Sequence, residues 1–181
     1  MKKIVVTIAL SLAITMSFAQ KYITRTGKAS FFSSTPIENI EAFNNEGSCV
    51  FDPNTNSVLF VIPIKSFKFE KALMQEHFNE QYMESNKFPK AEFKGKLEGD
   101  KPVDYSKDGK FEIVAKGVLT IHGESKNVAV PGTVTVKGGK AQMNAVFKVK
   151  PADYKISIPK LMSGKIAESI EVTVNFILDK K

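Results

Sequence analysis

The chain has 181 residues, with 26 lysines and arginines, 19 aspartates and glutamates and a formal net charge of +7. A chain of this length fits one domain and can bury a substantial core. Its lysines alternate with acidic residues and form no basic patch, which argues against a nucleic-acid-binding protein.

The N-terminal segment has the order of a cleavable secretory signal. Lys2 and Lys3 precede an apolar run, and small residues follow up to Ala19. The alternative is a retained anchor, but the apolar run is shorter than the roughly 20 residues of a membrane-spanning helix. We therefore expect residues 1–19 to be removed as a signal peptide and residues 20–181 to form the mature domain. The expected location is the periplasm or the outside of the cell.

The first part of the mature chain contains three predicted strands, at residues 22–34, 37–52 and 56–64. Pro36 marks the turn between the first two, and the sequence DPN marks the next turn. Cys49 is the single cysteine, so no disulfide can form within the chain. It lies in the apolar sequence CVF, which favours a buried, inert thiol over a nucleophile.

Residues 70–83 carry their apolar side chains at helical spacing, in contrast to the strands on either side. This pattern predicts one amphipathic helix inserted between strands. Such a helix would cap one end of a sheet structure or cover an opening in it.

From Val58 onward, apolar and polar residues alternate over most of the remaining sequence with the period of a strand. The sequence KGGK at residues 137–140 predicts a tight hairpin, and residues 151–167 predict a long irregular loop. The strands total about eight and are mostly antiparallel. They can form a sandwich or a barrel, and we favour the barrel because closure removes exposed edges. The inward positions include small residues that leave space inside: Gly95, Ala115, Gly117, Gly132 and Ala145.

The sequence contains no pattern typical of a catalytic or metal site. His77 and His122 are each solitary, and His122 lies in a predicted turn. Ser125 stands among strand and turn residues and outside any nucleophile motif. We therefore predict that the protein is not an enzyme, has no catalytic residue and holds no metal.

The full chain contains 14 phenylalanines and 6 methionines. Many of these apolar side chains are predicted to point into the barrel. These side chains either fill the core or line a cavity for one ligand, and an eight-stranded barrel has the size for both. A lipid site needs only such a cavity, because each buried CH₂ contributes about 0.8 kcal/mol. Strand parity and the helix face predict a ligand-binding lining, with His77 or Tyr82 near a polar head group: Phe60, Ile62, Phe67, Leu73, Met74, His77, Phe78, Tyr82, Phe93, Ile113, Leu119, Val134, Met143 and Phe147.

Four passages occur in a recognisable order along the chain. They are KASFFSSTPIENIEAFN, IPIKSFKFEKALMQEHFNEQYMESNKFPKAEFKGKL, GVLTIHGESKNVAVP, and DYKISIPKL followed by IAESIEVTVNFIL. Together they span nearly the whole mature chain, which resembles the YceI-like family of exported lipid-binding proteins. The resemblance implies an all-β fold, namely an antiparallel eight-stranded lipocalin-like barrel with one inserted amphipathic helix.

The same resemblance implies a periplasmic binding or carrier protein that holds a long isoprenoid or fatty amphiphile. It leaves ubiquinone-like, polyprenyl and fatty amide ligands open, and implies no other cofactor. Transient membrane contact and a monomeric or homodimeric state are compatible with this hypothesis. The alternative is an exported structural or stress-related protein whose filled barrel docks a partner.

Overall fold

A computed structural model describes residues 20–100, 103–162 and 164–181. The predicted signal peptide, residues 1–19, lies outside the described residues. The described part contains one short α-helix, α1, at Ala72–His77, which continues as a π-helical turn over Phe78–Tyr82. Three single-turn 3₁₀ helices lie at Ile64–Ser66, Pro151–Tyr154 and Lys160–Met162. The described part also contains nine strands: β1 Tyr22–Ser34, β2 Asn39–Asp52, β3 Ser57–Pro63, β4 Lys68–Phe69, β5 Lys90–Glu98, β6 Gly109–Ile121, β7 Glu124–Lys137, β8 Lys140–Val149 and β9 Ile170–Lys180.

Eight of these strands form a closed antiparallel barrel. Their order is β1-β9-β8-β7-β6-β5-β3-β2, and pairing of β2 with β1 closes the ring. The ninth strand, β4, pairs outside the ring with β2, where Phe69 lies opposite Ala42. The prediction of an all-β, eight-stranded barrel is therefore confirmed, and the two-residue strand β4 is an addition that the sequence pattern did not indicate.

One end of the barrel, which we call the closed end, is filled by aromatic side chains. The ring of Tyr105 lies 5.6 Å from that of Tyr22 and 5.2 Å from that of Phe51, measured between centroids. Tyr22 and Phe51 are almost completely buried, as is Leu178 of β9 beside them in the same core. These contacts leave the closed end packed as a hydrophobic core.

A floor across the middle of the barrel is built by Phe176 and two glycines. Gly27 of β1 pairs with Gly47 of β2, and the Phe176 ring lies over both. A Cβ atom at Gly27 would overlap the Phe176 ring, and one at Gly47 would lie 2.6 Å from its Cζ. The glycines therefore create the space that this fully buried ring occupies. Phe60 contacts the ring edge to face, with centroids 4.9 Å apart.

The opposite end, which we call the helix end, carries the longer connections between strands. Phe78, where α1 becomes the π-helical turn, packs among three other rings at centroid distances of 5.0 to 5.6 Å. These rings are Phe31, Phe67 and Phe69. The prediction of a helix within residues 70–83 is confirmed, although its second half is π-helical: the Met83 N–H donates to the Phe78 carbonyl at 2.8 Å.

His122 lies in the turn between β6 and β7, as predicted. It and Gly123 both have positive φ, at 51° and 77°, which suits a two-residue hairpin turn. Its Nε2 atom lies 2.8 Å from the Glu84 carboxylate, and its Nδ1 atom lies 3.2 Å from the carbonyl of Tyr154. His122 therefore links three connections of the helix end and has a structural role.

Candidate functional site: an apolar cavity at the helix end

An apolar cavity of about 310 Å³ occupies the half of the barrel between the floor and the helix end. All eight barrel strands contribute lining residues, and so do the helix and the loop after β8. Small side chains at inward strand positions, including Ala29, Ala91, Ala115 and Ala145, leave the space open. The volume lies at the lower end of the range of about 300–1,000 Å³ typical of small-molecule sites.

Most residues that the sequence predicted as lining do face this cavity. Thirteen of them are among its lining residues: Phe60, Ile62, Phe67, Met74, His77, Phe78, Tyr82, Phe93, Ile113, Leu119, Val134, Met143 and Phe147. Their side chains thus face the cavity, and their contact with a ligand stays a prediction.

Leu73 is the exception, and its predicted place in the lining is wrong. Its side chain is 60% exposed and does not reach the cavity. Successive residues of an α-helix are about 100° apart, so Leu73 lies one step away from the inward-facing Met74. The π-helical turn then brings Tyr82 into line with Met74 and Phe78, so that these three side chains face the cavity together.

Several lining residues were missed in the sequence prediction. Val172 and Val174 of β9 occupy alternate positions of an apolar–polar pattern like that of the predicted residues, so this alternation could have identified them. The loop after β8 also contributes Ile156, Met162 and Ile166. No periodic pattern marks these loop positions, because an irregular backbone does not repeat its side-chain directions.

The cavity opens at the helix end. Lining residues at the floor, such as Phe176 and Val134, are fully buried, whereas His77, Met162 and Ile166 near the opening are partly exposed. Three segments surround this opening, and we call them the rim: residues 35–38, residues 71–77, and residues 158–166 without Ser163.

Contacts between the rim segments hold them together. Lys71 Nζ lies 3.4 Å from Glu38 Oε1, which joins the helix to the β1–β2 turn. Near the end of the loop after β8, the Ala167 N–H donates to Ser33 Oγ of β1 at 2.9 Å. The opening is therefore framed by connected elements.

Few polar side chains line the cavity, and the described lining contains no lysine or arginine. The side chains of His77 and Tyr82 reach it from the helix, and neither side chain forms a hydrogen bond with another described residue. Burial raises the pKa of the Tyr82 phenol, so this group stays neutral and can donate a hydrogen bond. These two side chains are the available partners for a polar head group.

Cys49 is buried, as predicted, and burial raises the pKa of its thiol, so the group stays protonated and unreactive. Among the described residues, no three histidine, cysteine, aspartate or glutamate side chains gather closely enough to hold a metal ion. In the same part of the chain, no helix is both long and apolar enough to cross a membrane.

Solved structures with the same fold include three proteins of low sequence identity. BcnA of Burkholderia cenocepacia matches with a TM-score of 0.69 and 19% identity over 84% of this chain and 95% of that chain. A polyisoprenoid binding domain from Saccharophagus degradans, implicated in plant cell wall breakdown, matches with a TM-score of 0.74 and 14% identity over 90% of this chain and 99% of that chain. The YceI protein of Campylobacter jejuni matches with a TM-score of 0.60 and 20% identity over 80% of this chain and 86% of that chain.

These likenesses establish the fold. No curated protein matches the sequence. The family model of the YceI-like domain, however, matches residues 18–178, which is nearly the whole chain. The chain therefore belongs to the YceI-like domain family.

Proposed function

We propose that the protein is an exported carrier that holds the long chain of one uncharged amphiphile in its barrel. The observation that carries this proposal is the apolar cavity, which has a closed floor at Phe176 and an opening at the helix end. About ten methylene groups buried there would contribute about 8 kcal/mol before the entropic cost of binding is subtracted. The hydrocarbon lining alone can therefore supply the affinity.

The lining favours a neutral head group over an anionic one. A carboxylate drawn into the cavity would lose hydration without meeting a lysine or arginine among the lining residues. An alcohol, amide or quinone oxygen can instead accept a hydrogen bond from Tyr82 or His77. The proposed cargo is thus a neutral long-chain lipid.

The comparisons support an isoprenoid or similar chain as cargo. The structurally similar domain from Saccharophagus degradans is described as a polyisoprenoid binding domain. Our proposal assigns this chain no catalytic step, since its thiol is buried and protonated and its cavity wall is hydrocarbon. Export to the periplasm or beyond rests on the signal-like order of residues 1–19. The alternative of a filled barrel is not favoured, because half of the barrel is open.

Uptake of a fluorescent prenyl or fatty alcohol by matched variants tests this proposal. Phe147 lines the cavity, whereas its neighbour Val146 is exposed on the outer face of β8. We expect Phe147→Glu to abolish uptake and Val146→Glu to preserve it, because only the first places a charge in the cavity. Ala145→Leu, which adds volume to the cavity without a charge, should also reduce uptake in a folded protein. Equal uptake by all four proteins would overturn the proposal.

The choice of head group is tested by competition. An unlabelled fatty alcohol should displace the probe at a concentration at least roughly tenfold lower than the fatty acid of the same length, because the cavity lining holds no lysine or arginine to pair with a carboxylate. Equal displacement would contradict neutral selectivity and leave the carrier proposal intact.

A further inference from the structure

The rim places three large apolar side chains in solvent around the cavity opening. Ile37 is 67% exposed, Leu73 is 60% exposed and Leu161 is 94% exposed. They come from the three different rim segments, and the residue that follows each of them lines the cavity. Each rim segment thus presents one large apolar side chain outward, next to a residue that faces the cavity.

The position of these side chains separates them from the other exposed apolar residues. The remaining large ones lie on the outer faces of strands: Phe32, Phe43, Val50, Val118, Val146 and Ile177. Ile37, Leu73 and Leu161 instead lie on connections at one end of the barrel. Ile37 also neighbours the loop after β8, since a Cβ atom at Gly164 would lie 3.0 Å from Ile37 Cδ1. Grouped exposed apolar side chains are typical of an interaction surface.

The charge of the loop after β8 complements an anionic partner. Residues 150–169 contain four lysines and two acidic residues, and Leu161 lies between Lys160 and Lys165. Of the four, Lys155 pairs with Glu124. Exposed leucine and isoleucine beside lysine is the combination that binds the interface of an anionic bilayer. A carrier of a chain that dissolves in membranes must also collect and release it at a bilayer.

We propose that the rim docks on the surface of an anionic membrane, so that the cavity opening faces the lipid. This inference rests on the proposed carrier function and adds the partner and the surface that meets it. The three apolar side chains enter the interfacial region of the bilayer, and Lys165 faces the lipid phosphates. The cargo then passes between bilayer and barrel without crossing water.

Vesicle co-sedimentation with two matched triple variants tests the inference. The rim variant carries Ile37→Ser, Leu73→Ser and Leu161→Ser, and the wall variant carries Val50→Ser, Val146→Ser and Ile177→Ser; all six side chains are exposed. With vesicles of equal phosphatidylcholine and phosphatidylglycerol, we expect the rim variant to bind at least roughly tenfold more weakly than the wild type, because three apolar side chains no longer enter the lipid. The wall variant should bind like the wild type, and Lys165→Glu should weaken binding and its dependence on salt.

A second readout separates this inference from the carrier function. The rim variant should take up the alcohol probe from dilute solution like the wild type, but should lose uptake from vesicles. Equal vesicle binding by the rim and wall variants, or no binding by the wild type, would overturn the inference. A dimeric wild type together with a monomeric rim variant would also overturn the inference, because a second copy of the chain would then occupy the rim. If the wild type takes up no probe from solution, the carrier proposal is overturned instead.

Discussion

The two ends of the barrel are built from the same strands with the same alternation, yet one is filled and the other is open. At the closed end, the rings of Tyr22, Phe51 and Tyr105 meet and exclude space. At the helix end, small inward residues such as Ala115 and Ala145 leave a cavity that only loops and a short helix cover. Alternation decides which side chains point inward, and their volumes decide whether the interior holds a ligand.

The largest expected effect comes from removing the floor that separates the two ends. Phe176→Ala should destabilise the fold by about 3–5 kcal/mol, because a fully buried ring is replaced by a cavity. Urea unfolding followed by circular dichroism measures this loss. Ile177→Ala changes the exposed neighbour and should cost less than about 1 kcal/mol. Similar losses in the two variants would show that Phe176 does not support the barrel.

The glycine under the same ring should show the next largest effect. Gly27→Ala should cost about 1–3 kcal/mol, because the new Cβ overlaps the Phe176 ring. In a Phe176→Ala background, the same change should cost at least about 1 kcal/mol less, since the overlapping ring is gone. Unfolding of the four proteins in this double-mutant cycle measures the coupling. Additive losses would disprove the contact as the cause.

The helix end depends on a smaller contact, the packing of Phe78 among the other rings. Phe78→Ala should cost about 2 kcal/mol and speed hydrogen exchange in α1 and the π-helical turn, because it removes the ring that holds them. Leu73→Ala, on the exposed side of the same helix, should cost less than about 1 kcal/mol and leave exchange unchanged. Faster exchange throughout the barrel would contradict a local role for Phe78.

The smallest effect belongs to an exposed ion pair at the helix end. A hydrogen bond from Lys155 lowers the pKa of Glu124, whose Oε1 lies 2.8 Å from Lys155 Nζ. The stabilisation is therefore present above the pKa of an unfolded glutamate and is lost as the pH falls through the lower folded pKa. Glu124→Gln should lower the urea midpoint slightly at neutral pH and leave it unchanged in strong acid. If the urea midpoints of the two proteins still differ in strong acid, the ion pair is not the cause of the difference.

The sequence pattern predicted the strands, the inserted helix and thirteen of the lining residues, because alternation and helical spacing are local properties. It could not predict the floor, since Gly27 and Phe176 meet only after β1 and β9 pair. Helical spacing placed Leu73 and Met74 on the same face, and only the docking of α1 on the barrel exposes the first and turns the second inward. Strand β4 is too short to show a period, and the lining loop after β8 has none.

Native mass spectrometry of the protein purified from its own host tests the central claim most directly. The account predicts a one-to-one complex whose extracted ligand is a neutral, long-chain lipid. Ala145→Leu should carry less of it, because the added side chain occupies the cavity. Protein that arrives without lipid, and that takes up neither prenyl nor fatty alcohol probes, would contradict the account.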